Sequence, residues 1–202
     1  MSGAEELRRR LAAHVPGLMC GRNRYAMLCP FVKKEDGLHL LFEVRAATLR
    51  RQPGEVCFPG GRMEERESPE NCALRETWEE LAIPPEAVEV IGEMDFLHIR
   101  SNCLLRPVLG RVDGAALADI RPCAAEVADT FLVPLAWLRD HPPAVYIHRQ
   151  PVSISDFPYE DAGITDDYLW RPYYMEVPVY HGLPHPLWGL TAHITMDVVA
   201  HL

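Results

Sequence analysis

The sequence predicts a single mixed α/β domain. Three observations carry this: short β-rich runs bounded by turn signals, isolated amphipathic helices among them, and no compositional break that would mark a linker. A chain of 202 residues is long enough for one well-buried core and short for two. The expectation is therefore one domain over residues 1–202.

Taken in order, Met1 to His14 sets Glu5, Glu6 and Arg8 to Arg10 around leucines. That is an amphipathic helix without the apolar centre of a secretory signal. Ala26 to Val32 and Leu38 to Val44 are β-rich runs, and Asp36-Gly37 between them signals a hairpin. Arg45 to about Glu67 reads as a loop rich in Arg, Pro and Gly. Ser68-Pro69 supplies an N-cap and a first-turn proline for a helix, and Pro84-Pro85 stops it near Ile83.

Val88 to Phe96 and Leu104 to Arg111 read as strands, and Asp113 to Asp129 as irregular. Val133 to Asp140 reads as a short helix, with short strands at Ala144 to His148 and Tyr173 to Tyr180. Leu187, Leu190, Ile194 and Val198 recur at helical spacing, which predicts a C-terminal helix packed on the core.

The net charge of −9 argues against broad binding to nucleic acid or to an anionic membrane. An anionic small molecule stays open, provided cations or a metal are concentrated at one site. No run reaches the ~18 apolar residues of a membrane span. The six cysteines (Cys20, Cys29, Cys57, Cys72, Cys103, Cys123) form no Cys-x-x-Cys pair and read as reduced thiols of a cytoplasmic protein. The nine histidines show no ligand spacing. Tyr159, Tyr168, Trp170, Tyr173 and Tyr174 read as core and loop anchors.

The chemistry concentrates between Pro59 and Ile83. At roughly 100° per residue, Glu76, Glu79 and Glu80 share one helix face, while Leu74, Trp78 and Leu81 share the opposite face as the side for the core. Like charges at this spacing destabilise a helix by a few tenths of a kcal/mol, so the cluster calls for a cation. A bare Glu-x-x-Glu-Glu is more often a solvated face. Here the Gly60-Gly61 turn in front lets backbone approach a ligand closely, and Arg75 and Glu67 stand where a pair would tie loop to helix. All-carboxylate donors select Mg2+ or Mn2+ over zinc.

This segment resembles the Nudix box: Gly, five residues, Glu, seven residues, Arg-Glu, an aliphatic, any residue, Glu-Glu, any residue, Gly, an aliphatic. Gly61, Glu67, Arg75, Glu76, Glu79, Glu80 and Ile83 match in register, so the box spans about 61–83. Thr77 stands in place of the aliphatic residue and Ala82 in place of the last glycine, departures expected to alter packing and not activity. As a helix residue, Ala82 is expected to gain nothing from replacement by glycine. The resemblance implies an α/β/α sandwich with a mixed β-sheet, and a hydrolase of pyrophosphate bonds. It implies that Glu76, Glu79 and Glu80 bind catalytic Mg2+ or Mn2+, with the Gly61 carbonyl a further ligand and Glu67–Arg75 a structural pair. The general base is left between a box glutamate and a carboxylate of a later loop, Glu126 or Asp129.

The stretch Leu41 to Gly61 is similar to the signature before the box in Nudix coenzyme A pyrophosphatases: Leu-Leu-Thr-x-Arg, Ser or Ala, three residues, Arg, three residues, Gly, three residues, Phe-Pro-Gly-Gly. Arg45, Ala46, Arg50, Gly54 and Phe58 to Gly61 match; Phe42 and Glu43 stand where the signature has Leu and Thr. Glu126 to Leu135 and Trp188 to Ala192 resemble further stretches of that subfamily. The resemblance implies a small-molecule substrate of the coenzyme A class, cut to 3′,5′-ADP and 4′-phosphopantetheine. Planar guanidiniums suit phosphate oxygens, so Arg45, Arg50 and the Gly60 backbone are candidate substrate contacts. Nearness to Gly60 in sequence assigns Arg50 to the diphosphate and Arg45 to the 3′-phosphate.

Two alternatives remain. One keeps the chemistry on ADP-ribose, NADH or a dinucleoside polyphosphate; the other is a nucleotide-binding regulator without turnover. The expected location is cytoplasmic, with Ala200-His201-Leu202 a loose match to a peroxisomal address.

Overall fold

The computed structural model describes residues 3–12, 14, 23–99, 102–152 and 154–201. Cys20 and Leu202 lie outside the described residues. In chain order the elements are α1 (Gly3–Ala12), β1 (Asn23–Lys34), β2 (Gly37–Arg45), β3 (Val56–Cys57), β4 (Gly60–Arg62), α2 (Pro69–Leu81), β5 (Val88–Glu93), β6 (Leu97–Ile99) and β7 (Cys103–Val112). There follow α3 (Gly114–Ala118), β8 (Val127–Pro134), α4 (Leu135–Asp140), β9 (Ala144–Gln150), β10 (Tyr173–Tyr180), β11 (Leu187–Trp188) and α5 (Gly189–Ala200).

The turn before Gly37 closes β1 onto β2, in antiparallel register from Lys34↔Gly37 to Phe31↔Leu40. Gly37 takes φ 126°, which a side chain would resist. The other edge of β1 runs parallel to β7, from Asn23↔Cys103 to Phe31↔Arg111. A parallel pair needs a crossover, and the intervening chain supplies one that contains α2. The main sheet runs β3-β2-β1-β7-β5, with β4 on β1, β6 on β7 and β8 on β2; β11-β10-β9 form a smaller antiparallel sheet.

Side-chain alternation on β1 and β2 divides the core in two. Ala26, Leu28 and Leu41 face Cys72, Ala73 and Leu81 of α2, together with Ile83, Val108, Val112 and Val127. Cys29, Leu40, Phe42 and Val44 face Leu135 and Leu138 of α4 and Ala192, Ile194 and Val198 of α5. A mixed sheet lies between helices on both faces, an α/β/α sandwich in one domain. No helix of the described residues is long and apolar enough to cross a membrane.

Several sequence expectations are corrected. The segment Arg45 to Glu67 is not all loop, since β3 and β4 pair with β2 and β1; two or three residues are too few to show a period of two. The strand from Val88 ends at Glu93 after an irregularity between Val90 and Gly92, and pairing resumes in β6. Asp113 to Asp129 contains α3, whose start is capped by Asp113 Oδ1 accepting from Ala115 N at 2.8 Å. Val133-Pro134 belong to β8, because a residue before proline is driven out of the helical region. Leu187 lies in β11, and α5 begins only at Gly189.

Two corrections fall on α2 itself. Trp78 is 49% exposed, and the buried stripe is Cys72, Ala73, Thr77, Glu80 and Leu81. Thr77 is at its centre, where its hydroxyl donates to the Ala73 carbonyl at 2.7 Å and so enters the core satisfied. The helix ends at Leu81, and Ala82 is its C-cap in the left-handed conformation, φ 56° and ψ 28°.

Candidate active site

The carboxylates of α2 are placed by the Phe58-Pro59-Gly60-Gly61 turn. Phe58 stacks on Phe42 of β2 with ring centroids 4.8 Å apart. The Pro59 carbonyl accepts from Leu28 N at 2.9 Å, and Gly60 and Gly61 pair with Met27 and Ala26. Both glycines are needed for space. A Cβ on Gly60 would come within 2.5 Å of the Ala26 carbonyl oxygen, and one on Gly61 within 2.3 Å of the Glu76 carboxylate. The turn is thus pressed between β1 and α2, with its backbone against the acidic face.

Glu80 is 4% exposed, and its Oε2 accepts from Gly60 N at 2.8 Å. Glu76 is half-buried and Glu79 exposed. Arg75 Nε donates to Glu67 Oε1 at 2.9 Å and Nη2 to Oε2 at 3.1 Å, a two-pronged pair joining loop to helix. Its Nη1 donates to Glu76 Oε1 at 2.8 Å and Glu79 Oε2 at 3.2 Å. The Gly61 carbonyl lies 3.7 Å from Cys72 Sγ.

Burial, then the neighbouring charge of Glu43, pushes the Glu80 carboxyl well above its usual range. Burial also raises Glu76. Glu67 is held below the usual range by its bonds from Arg75. Glu126, exposed where the chain enters β8, acts electrostatically on Glu43, Glu76 and Glu80. Asp129 does not join them. A register shift in the β2–β8 ladder skips Ala128, so Asp129 pairs with Val44 and shares its face, away from α2. There Asp129 Oδ2 meets His185 Nε2 at 3.0 Å.

The two candidate arginines sit in different places. Arg45 is the one whose charge reaches Glu43 and Cys57, while Arg50 is exposed on the following loop. Glu43 was missed as a site residue; its period-two position with Leu41 and Arg45 on the α2 face was readable from the strand pattern.

As they stand, no three acidic, His or Cys side chains among the described residues are gathered around one point. Arg75 draws Glu76 and Glu79 aside, and Glu80 turns to Gly60. The residues nevertheless fit a hard divalent cation. The donors are all oxygen, the Gly61 backbone abuts Glu76, and Glu43 Oε2 is buried without a partner.

Residues 22–152 match the NUDIX domain family, and the chain belongs to it. Among its relatives, the mouse (Mus musculus) protein "Peroxisomal coenzyme A diphosphatase NUDT7" is 36% identical over 153 residues, or 73% of this chain and 64% of that protein. The chain thus spans a little under two thirds of the mouse relative's length. The Cronobacter sakazakii protein "Uncharacterized Nudix hydrolase NudL" is 41% identical over 185 residues, 88% of this chain and 81% of that one. A Nudix hydrolase of known structure from M. smegmatis, RenU, superposes with a TM-score of 0.48 at 21% identity, covering 59% of this chain and 75% of that one.

Proposed function

We propose that this protein is a Mg2+- or Mn2+-dependent hydrolase that cuts the diphosphate of coenzyme A or a derivative, yielding 3′,5′-ADP and 4′-phosphopantetheine. One observation carries the reading. Arg45 sets a guanidinium on the same sheet face as the carboxylate cluster, within a stretch that matches the coenzyme A signature. The name borne by the mouse relative supports the same substrate class.

In this reading Glu76, Glu79, Glu80 and the Gly61 carbonyl hold the metal. A divalent cation bound there supplies charge neutralisation for the diphosphate and acidity for the attacking water. Glu126 takes the water's proton, since it is exposed to solvent yet within electrostatic reach of the cluster. Gly60, expected from the sequence to approach a phosphate, instead positions Glu80 through its amide. Arg45 binds the diphosphate and Arg50 the 3′-phosphate, reversing the order that sequence distance gave. The Glu67–Arg75 pair holds the loop against α2.

A substrate panel with products identified by mass tests this. Coenzyme A, dephospho-coenzyme A, ADP-ribose, NADH and a dinucleoside polyphosphate are each offered with Mg2+ and with Mn2+. Coenzyme A should have the highest kcat/KM and release 3′,5′-ADP. Faster turnover of ADP-ribose or NADH would move the substrate, and no turnover of any would leave a nucleotide-binding regulator.

A further inference from the structure

We infer that Glu43 is a fourth acidic member of the metal site, facing the cation from the sheet while Glu76, Glu79 and Glu80 face it from the helix. The inference rests on the reading that those three glutamates hold the metal.

Strand alternation aims Glu43 with Leu41 at α2, and Leu41 packs in the core that α2 covers. On either side its backbone pairs with Cys57 of β3 and Thr130 of β8, so the side chain is walled in and 1% exposed. Its two oxygens are treated differently. Oε1 accepts from Cys57 Sγ at 3.1 Å. Oε2 is shut off from water and has no hydrogen-bond partner. Buried carboxylate oxygens are ordinarily bonded, so an orphan calls for a partner that only arrives with a ligand.

The surroundings identify that ligand by charge. Glu76, Glu80 and Glu126 act on Glu43, and Arg45 is the cation among its neighbours. Arg75 is already committed to Glu67, Glu76 and Glu79. One guanidinium cannot neutralise that many carboxylates in a buried place, and a divalent cation can. A hydroxyl at this position, as in the signature the stretch resembles, would offer neither charge nor a second oxygen.

The experiment measures Mn2+ binding to the full chain by electron paramagnetic resonance without substrate, for the wild type, Glu43→Gln, Glu43→Thr and Glu80→Gln. Melting temperatures are taken in EDTA and in Mg2+. Both Glu43 variants should bind Mn2+ roughly 10- to 100-fold more weakly. Both should melt higher than the wild type in EDTA, because a repelling carboxylate has gone, and should gain less from Mg2+. Two variants of different size guard against one that fails to fold. Wild-type Mn2+ affinity in both Glu43 variants, with binding lost in Glu80→Gln, overturns the inference and leaves the metal site intact. Unchanged binding in all three variants overturns the reading of the box glutamates, and this inference with it.

Discussion

The amide of Gly60 donates to Glu80 Oε2 at 2.8 Å, so the most buried carboxylate of α2 is held by the turn that packs against the helix. That bond lowers the cost of ionising Glu80, but burial and the charge of Glu43 outweigh it.

A pH dependence follows for the metal-free protein. Glu80 and Glu43 both have folded-state values above the ordinary 4.5. A raised carboxyl contributes stability below its ordinary value and loses it as pH rises through the folded one. In EDTA the melting temperature should therefore fall between about pH 5 and pH 9. Saturating Mg2+ should flatten this slope, since the cation binds the ionised form. Glu80→Gln removes a titration and should remove much of the slope. Glu67 acts in the opposite sense: Arg75 lowers it, and its contribution disappears only on acidification below the ordinary range. A flat melting profile in EDTA would show that Glu80 and Glu43 ionise without penalty.

The proposed proton acceptor, Glu126, can be separated from Asp129 on β8. Glu126→Gln should lower kcat by about 10²- to 10⁴-fold with the fold intact. Asp129→Asn should stay within a few fold, because the skipped residue Ala128 turns Asp129 to the His185 side of the sheet. Glu79→Gln should lower kcat by several orders of magnitude with the fold intact, as it removes a proposed ligand. Equal losses in the Glu126 and Asp129 variants would mean that neither is the base and that the strand itself is disturbed.

At the C-terminus of α2 the expected sign reverses. Ala82 at φ 56° carries a Cβ in the left-handed region, which costs an L-residue roughly 1–2 kcal/mol relative to glycine. Glycine there loses more chain entropy, so Ala82→Gly should stabilise by about 0.5–1 kcal/mol net. For a chain of this size that is about 1–4 °C in melting temperature, readable by calorimetry. Activity should change little. An unchanged or lower melting temperature would show that the cap tolerates alanine without strain.

The box was legible because its function fixes residue type and spacing together, from Gly61 through Glu67 and Arg75 to Glu80. The N-cap at Ser68 and the hairpin at Gly37 were legible for a similar reason, each being a local bond or a backbone demand. What failed depended on tertiary context. Trp78 was assigned to the core by helical spacing, but α2 lies on the sheet along its Thr77 edge, and threonine is admitted by a bond to Ala73. The facing of Asp129 turns on a bulge that no local residue announces. Glu43 was read only as a departure from a signature, since its neighbours Glu80 and Glu126 come from distant parts of the chain.

Substrate recognition gives the last test, and the proposed roles of Arg45 and Arg50 reverse the outcome that sequence distance suggests. Arg45 lies two residues from Glu43 on the sheet face that looks onto α2, and its Nε is buried without an acceptor. A donor held ready there suits a phosphate lying over the carboxylate cluster, which is the diphosphate. Coenzyme A and dephospho-coenzyme A both keep that group, so Arg45→Ala should reduce kcat/KM for the two alike. A charge-assisted bond of this kind is worth roughly 1.5–3 kcal/mol, or about ten- to a hundredfold. Arg50 is exposed on the loop beyond β2, where an appended phosphate can be met at the rim. Arg50→Ala should therefore weaken coenzyme A turnover and leave dephospho-coenzyme A nearly untouched, with a smaller factor because solvent screens the pair. Loss confined to coenzyme A in the Arg45 variant, with both substrates impaired by Arg50→Ala, would restore the order that sequence distance suggested.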